Sequence, residues 1–440
     1  MKRLLFFAGV YDTLDLFIYE LKRELEAMQY ETMVFDVRDM QQSLKNLAQF
    51  VTRPVEAAVT FNNLGFNMEL HPGVNLWEEL NIPCINILMD HPFCYHNALA
   101  AAPRNAVVLC TDRNHMAYVS RFYPKIPVSG FLPHGGIEAC GARKPVRERK
   151  IDVLYAGGLS RSFAENVIPD LSGYQGFDVK KVCEEAYRIL TEHPERTTED
   201  VLEEVLLAEG VCCGGQELAN IIADLHVVDL YVVSYFREQA VKAVAESGIE
   251  ITLYGAGWED CAWIGLPNVR YGGRVAAEEI VEQMKDAKIV LNTMTWFKDG
   301  THDRIFNGML QGAVVVSDSS VYMKEEFCGK PDADGTDRRE LLLFELQEIS
   351  SLPDQIKALL EDETLAQEIA DRGYEKAKAG HTWHNRAAEL KQDILDQKRA
   401  DGCSASLEDK ENMGYEHSGC VKQGVSEIFI CNADFVIGTG

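Results

Sequence analysis

The sequence predicts an α/β protein made of two successive sets of strand–helix units. Residues 1 to about 133 alternate short apolar runs with amphipathic stretches. A Pro- and Gly-containing break and a basic stretch follow, and a second alternating set starts at Ile151. The last unit of that set, from Ala287 to Ser320, reads AKIVLNTMTWFKDGTHDRIFNGMLQGAVVVSDSS, a strand, a polar loop, a short helix and a strand. Repeated units of this kind imply a mostly parallel sheet with helices on both faces.

In the first set, Leu4–Ala8 reads as a strand, Thr13–Met28 as an amphipathic helix and Tyr30–Phe35 as a strand. Leu44–Phe50 is helical, Ala57–Phe61 a strand, Val74–Leu80 a short helix and Ile85–Met89 a strand. Val107–Cys110, the helix His115–Phe122 and the strand Val128–Leu132 complete it. Pro133-His134-Gly135-Gly136 and the basic Arg143–Lys150 break the pattern and make residues 134–150 the linker. The second set has strands at Ile151–Tyr155, Glu250–Tyr254, Val269–Tyr271, Lys288–Asn292 and Ala313–Ser317. Between its first two strands, about 164–245 reads as a helical insert with polar turns near Thr197 and Gly214. The layout is therefore 1–133, a linker, 151–352, terminal helices over 353–400, and a tail of open role over 401–440.

Of the 440 residues, 46% are apolar, enough for full cores. Forty-three basic against 69 acidic residues give a formal charge of −26. That balance argues against nucleic acid and anionic membranes as partners. A bound phosphate therefore needs local basic groups. The acids cluster on predicted helices (Glu199–Glu209, Glu278–Glu282, Glu340–Glu363) as solvated faces. The 12 cysteines include no C-x-x-C pair and no zinc spacing, and Cys212-Cys213 are adjacent. They read as thiols of a reducing cytosol, and no metal site is expected. The apolar run in MKRLLFFAGVYD is about seven residues and lacks a small-residue cleavage site, so it reads as a first strand. No window approaches a membrane span. The expectation is a cytoplasmic protein without membrane insertion.

Ligands of α/β units gather where a strand leads into a helix. In the last unit that loop carries Asp299, Gly300, Thr301, His302, Asp303 and Arg304, ahead of a helix Asp303–Gln311 stopped by Gly312. A cation in a first helical turn opposes the helix dipole, and a bound anion relieves the conflict. The other reading pairs Arg304 with Asp303 or another acid. Gly157, Gly158, Ser160 and Arg161 follow the first strand of the second set, where glycines let a backbone pass close to a phosphate. Gly255, Gly257 and Trp258 follow the next strand, with Trp258 a site or a core residue. Tyr271 and Arg274 follow as a sheet residue or base contact and as a second phosphate partner. In the first set, Pro92 biases His91 toward extended backbone and leaves Asp90 and His91 at the ligand edge of the sheet. Asp112 reads as the cap of the helix His115–Phe122. His91, His115 and His134 all fall near strand ends.

The spacing Asp299-x7-Asn307, followed by Gly-Met-Leu-Gln-Gly-Ala-Val-Val-Val, resembles the donor-binding segment of retaining GT-B glycosyltransferases. That family has Glu-Gly, a second Glu eight residues after the first, then Ala-Met-Ala-x-Gly-x-Pro-Val-Val. Here the second acid is the amide Asn307 and the Pro is Val314. Gly300 to Asp318, and the later His381-Thr-Trp383 with Arg386, are similar to the bacterial spore-maturation CgeB-type branch. The likeness runs over roughly residues 80 to 395.

The resemblance implies GT-B architecture: two Rossmann-like domains facing across a cleft, with a helical insert in the second. It implies a metal-independent glycosyltransferase that takes a nucleoside diphosphate sugar as co-substrate and uses no cofactor. Arg304, with Arg161 or Arg274, would neutralise the phosphates, beside the loops of Gly157, Gly158 and Ser160 and of Gly255 and Gly257. Tyr271 would lie by the base and Asn307 by the ribose. Asp299 would touch the sugar hydroxyls, the N–H groups around Asp303 would join Arg304 at the phosphates, and Gly300, His302 and Asp303 count among the substrate-binding residues of that loop. Asp90 or His91 would be the base of an inverting reaction, while a retaining one needs none. A non-catalytic nucleotide-sugar or glycan binder and a nucleotide-sugar epimerase are the alternatives. The acceptor and the oligomeric state stay open. The missing G-x-G-x-x-G after the first strand argues against a nicotinamide dehydrogenase.

Overall fold

The computed structural model describes residues 1–160, 176–329 and 337–392. Arg161 and the expected tail lie outside the described residues. The chain divides into two compact units. One comprises Met1–Thr111, His115–Leu132 and the described residues from Trp383 onward, and the other Asp112–Asn114 with Pro133–Thr382.

The first unit runs β1 (Lys2–Ala8), α1 (Asp12–Ala27), β2 (Tyr30–Asp36), α2 (Met40–Phe50), β3 (Ala57–Phe61), β4 (Glu69–His71), β5 (Val74–Asn75), α3 (Leu76–Glu79), β6 (Cys84–Leu88), α4 (His96–Ala100), β7 (Ala106–Cys110), α5 (Arg113–Phe122) and β8 (Val128–Phe131). Six strands form one parallel sheet in the order β2-β1-β3-β6-β7-β8. Leu4–Ala8, Ala57–Phe61 and Cys84–Leu88 are buried throughout. A strand covered on both faces reads as one unbroken apolar run. Helix α1 buries Phe17, Ile18, Leu21 and Leu25, one stripe of its surface.

Residues 74–80 were expected to be one helix. Asn75 instead ends β5 and caps α3, accepting the N–H groups of Trp77 and Glu78. The β4–β5 hairpin was not expected, because strands of three and two residues are too short to show alternation.

The second unit runs β9 (Ile151–Ala156), α6 (Val179–Glu192), α7 (Thr198–Ala208), α8 (Gly215–Leu225), α9 (Val227–Glu246), β10 (Ile251–Tyr254), β11 (Val269–Tyr271), α10 (Ala277–Met284), β12 (Ala287–Asn292), α11 (Asp303–Leu310), β13 (Val314–Asp318), α12 (Val321–Glu326), β14 (Leu342–Phe344), α13 (Leu352–Glu361) and α14 (Glu363–Gly380). A last helix, α15 (Trp383–Glu389), groups with the first unit. There Trp383 packs 5.2 Å from Phe17 and 6.2 Å from Phe61, ring to ring.

The second sheet is parallel throughout, in the order β11-β10-β9-β12-β13-β14. Its connections run outward one way from β9 to β11, then restart on the other side of β9 at β12. This reversal point is where an open α/β sheet takes its ligands, beyond the C-terminal ends of the strands. Val153 and Tyr155 face a core shared with α9, α13 and α14, whereas Leu154 and Ala156 face a smaller one with Met284.

The helical stretch after β9 breaks where the sequence predicts, with Thr197 capping α7 and Gly214 preceding α8. Its last helix has a different role from the rest. Ala240, Val241, Val244 and Ala245 of α9 belong to the main core cluster, to which α6, α7 and α8 give no residue. Helix α9 is thus the crossover joining β9 to β10. The acidic stretch after Glu340, read as helical, contains the buried edge strand β14. Helix α11 ends one residue early at Leu310, and Gly312 follows at φ +77° as the expected stop.

Candidate functional site

Strands β9 and β12 are neighbours, so the loops that leave their C-terminal ends meet. Two glycine turns also butt together there. Gly157 N–H donates to Tyr254 O at 2.9 Å and Leu159 N–H to Ala256 O at 2.8 Å. A Cβ on Gly255, at φ +125°, would stand 2.3 Å from Gly157 O, and one on Gly257, at φ +92°, 1.9 Å from Leu159 O. These two glycines are needed for backbone to touch backbone. Trp258 is fully buried and donates its indole N–H to Gly157 O at 2.8 Å. Tyr271 braces the same turn through its hydroxyl, 2.9 Å from Gly255 O and 2.5 Å from Glu259.

Arg304 lies in the first turn of α11 and is 8% exposed. Its Nε donates to Asn292 Oδ1 at 2.9 Å and its Nη2 to Thr293 O at 3.2 Å. Its Nη1 has no hydrogen-bond partner among the described residues and lies 3.4 Å from where a Gly157 Cβ would be. Arg237 approaches from α9 and is 4% exposed. Its Nη1 donates to Gly158 O, its Nε is buried without a partner among the described residues, and its guanidinium is 5.4 Å from the Trp296 ring.

Neither guanidinium has an ion pair among the described residues, so the reading of Arg304 as paired with Asp303 does not hold. Burial lowers the Arg304 pKa, and the Arg237 charge adds to that. Two buried like charges on either side of Gly157-Gly158 are costly unless an anion joins them. The N–H of Gly158 also has no partner among the described residues, while that of Gly157 is used by Tyr254.

The loop before α11 forms a second group. Asp299 N–H donates to Asp112 Oδ2 at 2.7 Å, and the Asp299 carboxylate pairs with Arg113 at 3.2 Å. Arg113 also holds Glu325 at 2.7 Å. Asp112 Oδ1 accepts the Asn114 N–H at 2.7 Å, the expected cap. Gly300 O accepts the Ser320 hydroxyl at 2.7 Å.

Asn307 is 2% exposed, and both ends of its amide are used. Nδ2 donates to Asp303 Oδ2 at 3.0 Å, and Oδ1 accepts the Ile137 N–H at 2.9 Å. The amide thus ties α11 to Ile137, with one Nδ2 hydrogen and one Oδ1 lone pair left over. Asp303 Oδ1 stands 2.6 Å from His302 Nδ1. Burial raises the Asp303 pKa, but the contact and hydrogen bond with His302, helped by His134 and Arg304, hold the carboxylate below its usual range, and burial drops His302 to about 3. The imidazole is thus neutral with its proton on Nδ1. The Arg304 N–H, 3.3 Å from the same nitrogen, is the weaker contact.

Sequence reasoning missed Arg237, Lys298 and Asp318. Arg237, Ala240, Val241 and Val244 share one helical stripe, so a cation on a core-facing stripe was the available signal. Lys298 is half-buried and donates to the carbonyls of Pro194 and Thr295 at 2.6 and 2.5 Å. Asp318, at the end of β13, accepts the Met294 N–H at 2.7 Å, and burial pushes its pKa up to about 7. Ser160 is half-buried on the glycine loop, and Arg274 is exposed on the loop after β11.

In the first unit, Asp90 accepts from Asn62 Nδ2 at 2.9 Å and from the Tyr95 hydroxyl at 2.7 Å. Burial raises its pKa. His91 is buried, accepts the Phe93 N–H at 3.2 Å through Nδ1, and stacks on the Phe93 ring at 3.6 Å. His115 crosses its edge at 4.3 Å. His91 is thus a cap inside an aromatic cluster, which leaves Asp90 as the carboxylate of that sheet edge.

Residues 237–392, about a third of the chain, match the family model described as Glycosyl transferase-like. This segment is similar to glycosyl transferase-like domains. It begins at Arg237 and spans α11 with its preceding loop. Among solved structures, an alpha-glucosyltransferase in complex with UDP and a 13-mer DNA is 12% identical with a TM-score of 0.52, over 90% of this chain and 99% of that one. An alpha-glucosyltransferase with UDP-glucose and DNA containing an abasic site is 13% identical with a TM-score of 0.50, over the same shares. Sucrose-phosphate synthase from Thermosynechococcus elongatus is 11% identical with a TM-score of 0.48, over 91% of this chain and 100% of that chain. The two alpha-glucosyltransferases show the fold, an α/β protein of two parallel Rossmann-like sheets of the GT-B class. No curated protein matches the chain.

Proposed function

We propose that this protein is a glycosyltransferase that moves a sugar from a nucleoside diphosphate sugar to an acceptor. The observation that carries the proposal is the pair of buried guanidiniums, Arg304 and Arg237, without an ion pair among the described residues, beside Gly157-Gly158 at the reversal point of the second sheet. A diphosphate supplies the missing anionic partner. As the sugar leaves, charge builds on the diphosphate, and preorganised cations in a dry site stabilise it. The two arginines would do this without a metal. The Gly158 N–H, which has no partner among the described residues, and the N-terminus of α11 add donors.

Uridine diphosphate sugars are the first donors to test, because structural neighbours were solved with UDP and UDP-glucose. If the reaction inverts, Asp90 is the base. Its raised pKa favours taking a proton. Asp90→Asn would then abolish transfer and leave nucleotide binding intact, whereas a retaining enzyme would keep its activity. The CgeB-type subgroup and a cytoplasmic location rest on the sequence alone. Among the described residues, no single helix is long and apolar enough to cross a membrane.

A non-catalytic binder is the second reading, favoured by the amide at Asn307. The bond from Asn307 to Asp303 gives that amide a structural role and weakens the argument. Incubating the protein with UDP-glucose and following free UDP separates the two. Release of UDP, by transfer or slow hydrolysis, supports the enzyme, and tight binding with no turnover supports the binder.

A further inference from the structure

A nitrogen with a fixed lone pair stands two residues before Arg304. His302 Nδ1 is 2.6 Å from Asp303 Oδ1, and Asp303 Oδ2 takes the Asn307 Nδ2 hydrogen at 3.0 Å. Asn307 is held in turn by the Ile137 N–H. This chain of bonds puts the imidazole proton on Nδ1 and makes Nε2 an acceptor. The ring is also fixed in direction. It lies parallel to His134, with centroids 5.6 Å apart and planes 13° apart. Trp296 and Phe297 meet it near edge-on at 5.5 and 6.0 Å.

Nε2 has no hydrogen-bond partner among the described residues, and 14% of the side chain is exposed. Burial, then the neighbouring Arg304 and His134, disfavour a second proton on the ring. A neutral nitrogen that only accepts recognises a hydroxyl. It gains nothing from phosphate oxygens, which only accept as well.

We infer that His302 Nε2 takes a hydrogen bond from a hydroxyl of the donor sugar, with Asp303 and Asn307 as positioning residues that set its tautomer. The inference rests on the donor reading above and assigns the sugar, not the nucleotide, to this side of Arg304. It also explains the amide at Asn307. A carboxylate there would face the Asp303 carboxylate with no hydrogen to give, whereas an amide donates.

Calorimetric titration of the full chain tests this with the pairs UDP and UDP-glucose, GDP and GDP-mannose, and dTDP and dTDP-glucose. His302→Asn retains a side chain that caps a helix but withdraws the outer nitrogen. His302→Gln places an amide oxygen near the Nε2 position. For the pair that binds wild type best, His302→Asn is expected to loosen the nucleotide sugar by about tenfold. The free diphosphate should shift by less than about twofold, and His302→Gln should recover most of the loss. Equal loosening of diphosphate and nucleotide sugar, or no change in either, would overturn the role of His302 while the donor reading stands. A folded wild type that binds none of the six would overturn the donor reading and the inference with it.

Discussion

Asp318 carries its carboxyl into the core at the end of β13, where burial raises its pKa to about 7 against an ordinary 3.8. The sign follows from proton binding. Between those values the folded state holds the proton and the unfolded chain does not, so this group makes stability fall as pH rises. Its stabilising effect is complete below pH 4 and lost above about 7. Asp318→Asn keeps an oxygen for the Met294 N–H and removes the titration. Its stability relative to wild type should therefore rise between pH 5 and pH 8, by up to about 3 kcal/mol. Urea unfolding at several pH values checks this, and parallel pH profiles would refute it. His302 gives a second pH prediction. Because its imidazole titrates near 3, any preference for nucleotide sugar over nucleotide should be flat from pH 8 to pH 5.5. A preference that collapses near pH 6.5 would mean an ordinary histidine.

At the scale of elements, the turns after β9 and β10 form one object. Gly255 and Gly257 are at positive φ with carbonyl oxygens of the facing turn where a Cβ would stand. Gly255→Ala combines backbone strain with a backbone clash and should destabilise the protein by about 2–4 kcal/mol. Nucleotide binding should fall with it. A denaturation midpoint equal to wild type would contradict this packing. These glycines could be read from the sequence as a turn after a strand, but their spacing does not say that the facing surface is another turn. The β-strands were legible for a physical reason. Strands such as Leu4–Ala8 and Val314–Val316 are covered on both faces and read as unbroken apolar runs. Strand β14 was not legible, because three buried residues next to acids look like part of a helix. Helix α11 was legible from Arg304 and Gly312, but the partners of Asn307 were not. Ile137 is 170 residues away in the chain and contributes only its backbone.

At the scale of the molecule, a chain of charge −26 is proposed to bind a dianion. Arg304 and Arg237 are buried, so salt screens them little, while the long-range repulsion from the acidic surface is screened well. Nucleotide affinity should then stay flat or improve as NaCl rises from about 20 to 150 mM. A loss of tenfold or more over that range would point to exposed cations such as Arg274 as the phosphate partners. Arg237 shows why the site was only partly readable. It reaches Gly158 across 79 residues, through a helix whose role as crossover appears only once β9 and β10 are paired.

The most direct test is calorimetric titration of UDP, GDP, dTDP, CDP and ADP into wild type, Arg304→Met, Arg237→Met and the double variant, with circular dichroism to verify folding. The account predicts that one nucleotide binds wild type and that each single variant loosens it by about 10- to 100-fold. The double variant should lose less than the product of the two single effects, because both cations serve the same diphosphate. Unchanged affinity in folded Arg304→Met and Arg237→Met, or no binding of any of the five to wild type, would contradict the site.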